Sequence, residues 1–166
     1  MTILFGNLFF HSDSISLLAN VQTENITSEK INYVQEDSLE KNVWQIKIPK
    51  IELEANIAEG TSVETLNKYV GHFEETQKEI GNVGLAAHNR GYDVNYFEKL
   101  KELELGDEII YIVNGNERKY VVSLITIIND TEWTNLENTK ENRLTLITCL
   151  ENEPSKRRCI QAIEKE

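Results

Sequence analysis

The chain has 166 residues, a length that suits one compact domain with a sizeable core. Hydrophobic residues make up 40% and charged residues 27%, which is typical of a globular chain and not of a disordered one. The formal net charge of -11 argues against nonspecific nucleic-acid binding, because such binding needs a basic face that neutralises phosphates. The dense basic cluster Lys156-Arg157-Arg158 is too short for that purpose.

The amino-terminal part is predicted to stand apart from the folded domain. Residues 1–21 are apolar in patches but include His11 and Asp13, and they fall short of the ~20 mostly apolar residues of a membrane helix. They are interpreted as the remnant of a membrane anchor, an amphipathic helix or a disordered tail. Residues 22–42 are polar and acidic, which predicts a linker or a solvated helix. The domain is expected to cover residues 43–166.

Short strands are predicted at the start of this domain. Residues 43–48 and 51–57 alternate apolar and polar side chains on either side of Pro49. Residues 82–88 form an apolar run between turn residues, which predicts a buried strand that ends at His88.

Two short helices are predicted between these strands and the second half of the chain. Thr61 stands three residues before Glu64, an arrangement that caps the start of a helix. Residues 95–103 carry apolar side chains at helical spacing, and Gly106 follows as a stop signal. The apolar positions are Tyr96, Phe97, Leu100 and Leu103.

Four more strands are predicted in the second half. Residues 108–113 and 119–128 flank an Asn-Gly-Asn turn and are typical of a β-hairpin. Residues 129–142 are polar and predict a long loop, a feature that often carries function. The β-runs 143–149 and 158–163 follow, separated by a polar loop that contains proline. Many short strands with brief helices predict a mostly β chain that forms a closed or nearly closed barrel.

The two cysteines, Cys149 and Cys159, are too few for a disulfide scaffold and lack the spacing of a structural zinc site. Three interpretations stay open for them: a small buried side chain, a disulfide between neighbouring strands, or a reactive thiol. Cys149 closes a predicted strand just before a polar loop. Its thiol is therefore expected at a rigid and accessible strand tip.

Catalysis by a thiol also requires a histidine for proton transfer and donors for a developing oxyanion. His88 ends its apolar run after two alanines, whose small side chains allow neighbouring groups to approach its backbone. His72 and His11 are competing candidates. Without further context, a histidine at such a position is more often structural than catalytic.

The motif around Cys149 resembles the signature of the sortase family. Thr145-Leu146-Ile147-Thr148-Cys149 matches T-L-x-T-C, and Arg157-Arg158 supplies a basic residue at the start of the next strand. Ala87-His88-Asn89 is similar to the Gly-His-Asn or Gly-His-Arg segment of sortases, with Ala87 in place of glycine. The resemblance covers nearly all of residues 43–163, with further matches at residues 46–51, 60–62, 97–100 and 105–108.

This resemblance implies a closed eight-stranded sortase-type β-barrel with short inserted helices, held on the outer face of a Gram-positive cell by an amino-terminal membrane anchor. It implies a cysteine transpeptidase that cuts a Leu-Pro-x-Thr-Gly-like sorting signal of surface proteins. The acyl fragment is held as a thioester and passed to an amine of a peptidoglycan precursor or a pilin. The short loop after Cys149 and the lack of a long insertion resemble class D or related clostridial-type enzymes.

The resemblance assigns the catalytic roles. Cys149 is the expected nucleophile, and His88 the expected partner for proton transfer. An arginine is expected to donate to the oxyanion, since its guanidinium stays charged. Strand alternation puts Arg157 and Arg158 on opposite faces, and the spacing from the cysteine in compact sortases favours Arg158.

Further expectations concern substrate, metal and rival functions. Thr148 and Trp133 are candidate substrate-binding residues; the alternatives are an ordinary strand threonine and an aromatic side chain packed on the barrel. No cofactor or metal is predicted, although Glu52, Glu54 and Glu59 offer a calcium site as an alternative to a solvated acidic face. The rival functions are a cysteine endopeptidase that uses water as acceptor and a noncatalytic binding module.

Overall fold

The computed structural model describes residues 43–166, and these residues form a closed β-barrel of eight strands. The predicted fold class is therefore confirmed. The segments 1–21 and 22–42 of the sequence prediction lie outside the described residues, as does His11. The strands are β1 (Trp44–Ile48), β2 (Leu53–Glu59), β3 (Val70–His72), β4 (Asn82–Ala86), β5 (Glu108–Val113), β6 (Asn116–Asn129), β7 (Arg143–Leu150) and β8 (Glu153–Glu164).

The strands follow the order β1-β2-β3-β4-β7-β8-β6-β5 around the barrel, and β5 closes it by pairing with β1. Most neighbours are antiparallel, but β2 with β3 and β4 with β7 are parallel. The barrel interior is filled by apolar side chains, and its largest fully buried members include Tyr111, Tyr120, Phe97, Leu146 and Ile160. Among residues 43–166 there is no helix long and apolar enough to cross a membrane.

The outer face of the sheet carries a second, smaller apolar cluster. It is formed by Ile128, Ile147 and Cys159, and Phe73 and Leu136 pack against it. As a result β7 is buried on both faces through most of its length and is exposed only near its end. This burial on both faces explains why the apolar residues Leu146 and Ile147 are adjacent in β7 and do not alternate with polar residues.

The hairpin predicted around the Asn-Gly-Asn turn is present, with β5 paired to β6 in antiparallel register. Asn114 and Gly115 both have positive φ angles, of 52° and 75°. Two successive residues of this kind form the type I′ turn, whose twist matches that of the flanking strands. Strand β6 begins at Asn116, earlier than the sequence predicted.

The helix predicted over residues 95–103 is present but shorter, as a 3-10 helix at Glu98–Glu102. Phe97, Leu100 and Leu103 are all buried. Residues spaced by three align on one side of a 3-10 helix, which has three residues per turn. The earlier helix is the α-helix α1 (Val63–Leu66), whose first turn is capped by Ser62 and not by Thr61.

Candidate active site

Cys149 lies one residue before the end of β7, and its side chain is exposed. The pairing of β7 with β8 changes register directly after it, so the strand ends irregularly at this point. Cys149 and Cys159 are both free, which removes the disulfide interpretation. Cys159 is fully buried, and burial raises the pKa of its thiol to about 12. Cys159 is thus a structural residue, and Cys149 is an accessible thiol at a strand tip.

His88 lies at the same end of the barrel as Cys149 because their strands are parallel neighbours. Strand β4 ends at Ala86, which pairs with Ile147 of β7. His88 follows β4 by two residues, just as Cys149 follows Ile147 in β7, so the two reach a similar height. The sequence prediction extended the strand to His88, whereas the structure has His88 in the loop that follows.

Burial governs the state of the His88 imidazole. The side chain is buried, and its Nε2 atom has no hydrogen-bond partner among residues 43–166. Desolvation disfavours the charged imidazolium and lowers the pKa of His88 below its ordinary value. A neutral imidazole with one unused nitrogen can accept a proton and later return it.

Hydrogen bonds fasten the His88 segment to the end of β7. The Thr148 hydroxyl donates to the backbone carbonyl of Ala87 at 2.7 Å. The Asn89 amide donates to the backbone carbonyl of Cys149, also at 2.7 Å. The residues on either side of His88 are therefore tied to Cys149 and to its neighbour.

A third connection reaches the turn between β7 and β8. The Arg90 guanidinium lies 2.8 Å from the Glu151 carboxylate and donates to the Asn152 side chain at 3.2 Å. Both carboxylate and guanidinium are exposed, so this ion pair contributes at most about 1 kcal/mol to stability. Its geometric effect is to hold the loop after His88 against the loop after Cys149.

The strand register separates the two arginines. Cys149 is the direct cross-strand partner of Arg157, whereas Thr148 is the partner of Arg158. Directly opposed residues of an antiparallel pair point to the same face of the sheet. Arg157 therefore shares the face of Cys149 and Arg158 lies on the other face. Strand β8 begins at Glu153, five residues before the start assumed from the sequence. Both arginines therefore lie inside the strand, and the position of its start does not distinguish them.

The guanidinium of Arg157 is held by hydrogen bonds to neighbouring backbone carbonyls and by a long ion pair. Its Nη1 atom donates to the backbone carbonyls of Pro154 and Lys156, at 2.7 and 2.8 Å. Its Nη2 atom lies 3.8 Å from the carboxylate of Asp130. The Nη2 group, whose contact with Asp130 is long, can therefore exchange this carboxylate for a substrate oxygen.

A cavity of about 650 Å³ brings these groups together. His88, Cys149 and Arg157 line it, and Phe73, Ile147 and Trp133 supply apolar walls. The Trp133 side chain is 58% exposed and meets the ring of Phe73 edge to face, with centroids 6.1 Å apart. Trp133 thus stands at the cavity, and its contact with substrate stays a prediction. Thr148 also borders the cavity, although its hydroxyl already donates a hydrogen bond to the Ala87 carbonyl.

A buried polar network fixes the long loop that forms one cavity wall. The Asn82 amide donates to the backbone carbonyls of Asn135 and Glu137, at 2.8 and 2.9 Å, and its oxygen accepts from the Thr145 hydroxyl at 2.7 Å. Gln161 adds a further hydrogen bond to the carbonyl of Asn135. The loop was predicted from its polarity, but this anchor was not.

The remaining candidates lie elsewhere. His72 is almost fully buried in β3, where its Nδ1 atom lies 2.6 Å from the Glu59 carboxylate and its Nε2 atom is 3.0 Å from the Gln77 carbonyl. Such complete satisfaction is typical of a structural histidine. Glu59 is further paired with Lys78, and Glu54 with Lys47. Within residues 43–166 no group of three or more His, Cys, Asp or Glu side chains has the arrangement of a metal site.

Comparison with known proteins agrees with this combination of barrel, thiol and histidine. Residues 46–165 match the family model of the sortase domain. The chain belongs to the sortase family, whose members are cysteine transpeptidases of the cell wall. The resemblance stated from the sequence is therefore confirmed at the level of the family.

Individual relatives carry several subclass names. Sortase A of Bacillus anthracis is 28% identical over 149 residues, which cover 85% of this chain and 71% of that protein. Sortase D of Bacillus subtilis is 33% identical over 108 residues, and the match covers 63% of this chain and about half, 52%, of that protein. The similarity to class D stays a prediction because both kinds of relative are present.

Solved structures support the same fold. The pilus-related sortase C of Group B Streptococcus superposes with a TM-score of 0.70 at 26% identity, covering 76% of this chain and 68% of that one. Sortase C1 from Streptococcus suis gives a TM-score of 0.71 at 22% identity, covering 93% of this chain and 89% of that one.

Proposed function

We propose that this sortase cleaves a Leu-Pro-x-Thr-Gly-like sorting signal through a thioester on Cys149 and passes the acyl group to an amine of the cell wall or of a pilin. One observation supports this proposal most directly: three groups border the same cavity. They are an exposed thiol, a buried histidine with an unused nitrogen and an arginine on the same face of the sheet as the thiol. The proposed setting is the outer face of the cytoplasmic membrane of a Gram-positive bacterium.

In the first half of the reaction the Cys149 thiolate attacks the carbonyl carbon of the substrate threonine. A carbon–sulfur bond forms, and the carbonyl oxygen takes up the electron pair as a tetrahedral oxyanion. When the oxyanion collapses, the carbon–nitrogen bond breaks and the His88 imidazolium gives its proton to the leaving amine. Burial lowers the pKa of His88 and so favours this donation, because loss of the proton leaves the neutral imidazole, which costs less free energy to bury than the charged imidazolium.

We assign the role of oxyanion donor to Arg157. Its cross-strand pairing with Cys149 and its place in the shared cavity support this assignment. A permanently charged, planar donor near the attacked carbonyl stabilises the oxyanion, which is an effect that operates in the transition state. The sequence-based choice of Arg158 for this role stays an alternative that a pair of variants can decide.

The wall of the cavity suits an extended peptide. Phe73, Ile147 and Trp133 provide apolar surface for the Leu-Pro part of the signal, and the anchored loop 129–142 keeps Trp133 in place. An extended peptide that lies along this wall presents its Thr-Gly bond to the strand tip at Cys149.

The deciding experiment uses the full chain and a peptide mixture of Leu-Pro-x-Thr-Gly randomised at x, with and without triglycine. Mass spectrometry should detect a Cys149-linked acyl-enzyme and an amine-linked product that grows with triglycine concentration. The Cys149→Ala chain is the matched control and should give neither. Hydrolysed peptide as the sole product, with every amine tried, would favour the endopeptidase, whereas no cleavage and no acyl-enzyme would favour a binding module.

A further inference from the structure

A second, smaller cavity adjoins Cys149 on the other side of β8. Its volume is about 110 Å³, and its lining includes Cys149, Arg158, Lys101, Glu98 and the buried ring of Phe97. Arg157 lines the large cavity and Arg158 the small one, as their opposite faces on the strand require. The nucleophile therefore stands between two spaces of different size and chemistry.

The small cavity has unused positive charge. Of its ionic groups, Arg90 and Glu151 are paired with each other. Three others remain, Arg158, Lys101 and Glu98, and none of them forms an ion pair or side-chain hydrogen bond with another residue of the described range 43–166. The cavity thus has a local excess of cation in a chain whose formal net charge is -11. A local potential opposite to that of the whole molecule favours an anionic ligand group.

We propose that the small cavity is the acceptor site and that it takes an amine that carries a carboxylate close to its amino group. This inference rests on the transpeptidase function proposed above. The acyl donor occupies the large apolar cavity, so the acceptor has to approach the thioester from the remaining side. The guanidinium of Arg158 matches a carboxylate with two parallel donors, and Lys101 adds a second cation at the rim.

Binding of the carboxylate directs the amino group toward the thioester at the shared border. The amine nitrogen attacks the acyl carbon and forms the new carbon–nitrogen bond. The carbon–sulfur bond breaks, and its electron pair stays on the sulfur of Cys149. At the border formed by Cys149 the amine passes its proton to His88, which lines the large cavity. The enzyme thereby returns to a thiolate with an imidazolium and can attack a new sorting signal.

The test is a competition between glycine and glycinamide, which differ in whether the group next to the amine is a carboxylate. Both are supplied at equal concentration with the same peptide mixture, and the ratio of the two amine-linked products is measured by mass spectrometry. This ratio is set after the acyl-enzyme has formed, so effects on the first half of the reaction cancel. The comparison of variants with the wild-type chain also removes the intrinsic difference in reactivity between the two amines.

Arg158→Gln should lower the ratio of glycine product to glycinamide product about tenfold, since one charge-assisted contact is lost. Lys101→Glu should lower it several-fold, and because Lys101 is exposed the fold is preserved. Lys99→Gln is the matched control: Lys99 is an exposed lysine of the same 3-10 helix that does not line this cavity, and the ratio should not change.

Two failures are distinguishable. Amine-linked products with the same ratio in the wild-type, Arg158→Gln and Lys101→Glu chains would overturn the acceptor site while leaving the transpeptidase in place. Should Arg158→Gln form no product, an unchanged ratio in Lys101→Glu alone would overturn it. Absence of both products from a wild-type chain that still forms the triglycine product would overturn the acceptor site alone, whereas absence of all three products would overturn the transpeptidase as well.

Discussion

The ring of Tyr92 lies flat against the ring of His88, with centroids 3.5 Å apart and an angle of 7° between the planes. Tyr92 is itself 47% exposed and lines the large cavity. One face of the imidazole is therefore shielded by a side chain whose other face meets solvent. The loop after His88 thereby contributes both to the burial of the ring and to its orientation.

Replacement of Tyr92 tests this contact. We expect Tyr92→Ala to lower kcat about tenfold, because an aromatic pair of this kind contributes about 0.5–1.5 kcal/mol to holding the ring. The pKa of His88 should also move upward toward its ordinary value as burial is lost, which NMR titration of the imidazole protons would measure. Tyr92→Phe keeps the stack and should behave like the wild-type chain. An unchanged His88 titration in Tyr92→Ala would contradict the shielding.

The two cysteines provide a second test. Cys149→Ala should abolish acyl-enzyme formation and leave the melting temperature nearly unchanged, since the side chain is exposed and contributes little packing. Cys159→Ala should do the opposite: it should keep the acyl-enzyme but lose about 1–2 kcal/mol of unfolding free energy, because it opens space in a buried cluster. Peptide cleavage by Cys149→Ala would refute the assignment of the nucleophile.

A third test separates the two arginines. Arg157→Ala should reduce the rate of acyl-enzyme formation about 10²- to 10³-fold, the usual effect of removing one oxyanion donor. Arg158→Ala should reduce the same rate less than about tenfold, because Arg158 lies on the opposite face of β8. Pre-steady-state mass spectrometry of the acyl-enzyme measures this step alone. If Arg158→Ala slowed acyl-enzyme formation more than Arg157→Ala, the role of oxyanion donor would belong to Arg158, as the spacing from Cys149 suggested.

A fourth prediction concerns pH. Burial lowers the pKa of His88 in the folded chain, so the unfolded chain binds more protons at this residue once the pH falls through the ordinary histidine value of about 6.5. Folding stability contributed by His88 is therefore full above that value and is lost as the pH falls below it. The melting temperature of the wild-type chain should fall more between pH 7 and pH 5 than that of His88→Gln. If the melting temperatures of the two chains fell by the same amount, the lowered pKa of His88 would be ruled out.

The anchor of the long loop gives a fifth prediction. Asn82→Ala should cost about 1–3 kcal/mol of unfolding free energy, since it removes two hydrogen bonds to the loop carbonyls of Asn135 and Glu137 and the acceptor of the buried Thr145 hydroxyl. Backbone amides of residues 129–142 should exchange hydrogen faster, and KM for the peptide should rise. Asn56→Ala is the control and should change none of these, since it removes an exposed amide whose side-chain partner within residues 43–166 is Gln45 alone.

Sequence reasoning predicted the barrel and singled out Cys149 as the candidate nucleophile because both predictions depend on local patterns. The alternation of strands, the Asn-Gly turn and the short motif at Cys149 are all visible within a few residues. His88 needed the family resemblance as well, since an apolar run that ends in histidine has no chemical meaning by itself. Its closeness to Cys149 is a property of the pairing of β4 with β7.

The misjudged details depend on contacts that no local pattern records. The start of β8 is set by pairing with β6 and β7, so polar residues before Arg158 belong to the strand although they do not alternate. The stack of Tyr92 on His88 and the hydrogen bonds of Asn82 join segments whose approach follows from barrel closure. The sequence did not identify the helix at Glu98–Glu102 as a 3-10 helix, because apolar spacings of three fit both helix types.

The parallel pairing of β4 with β7 also bears on how the enzyme acquires its activity during folding. Strands β7 and β8 are consecutive in the chain, so Cys149 and Arg157 can meet early through local contacts. Ala87 and Thr148 are 61 positions apart, and contacts over such separations form slowly because a long loop must first close. A partly folded chain would thus display the thiol without its histidine. The rate at which turnover returns during refolding should therefore report the closure of the barrel. The rate at which a thiol reagent labels Cys149 should not.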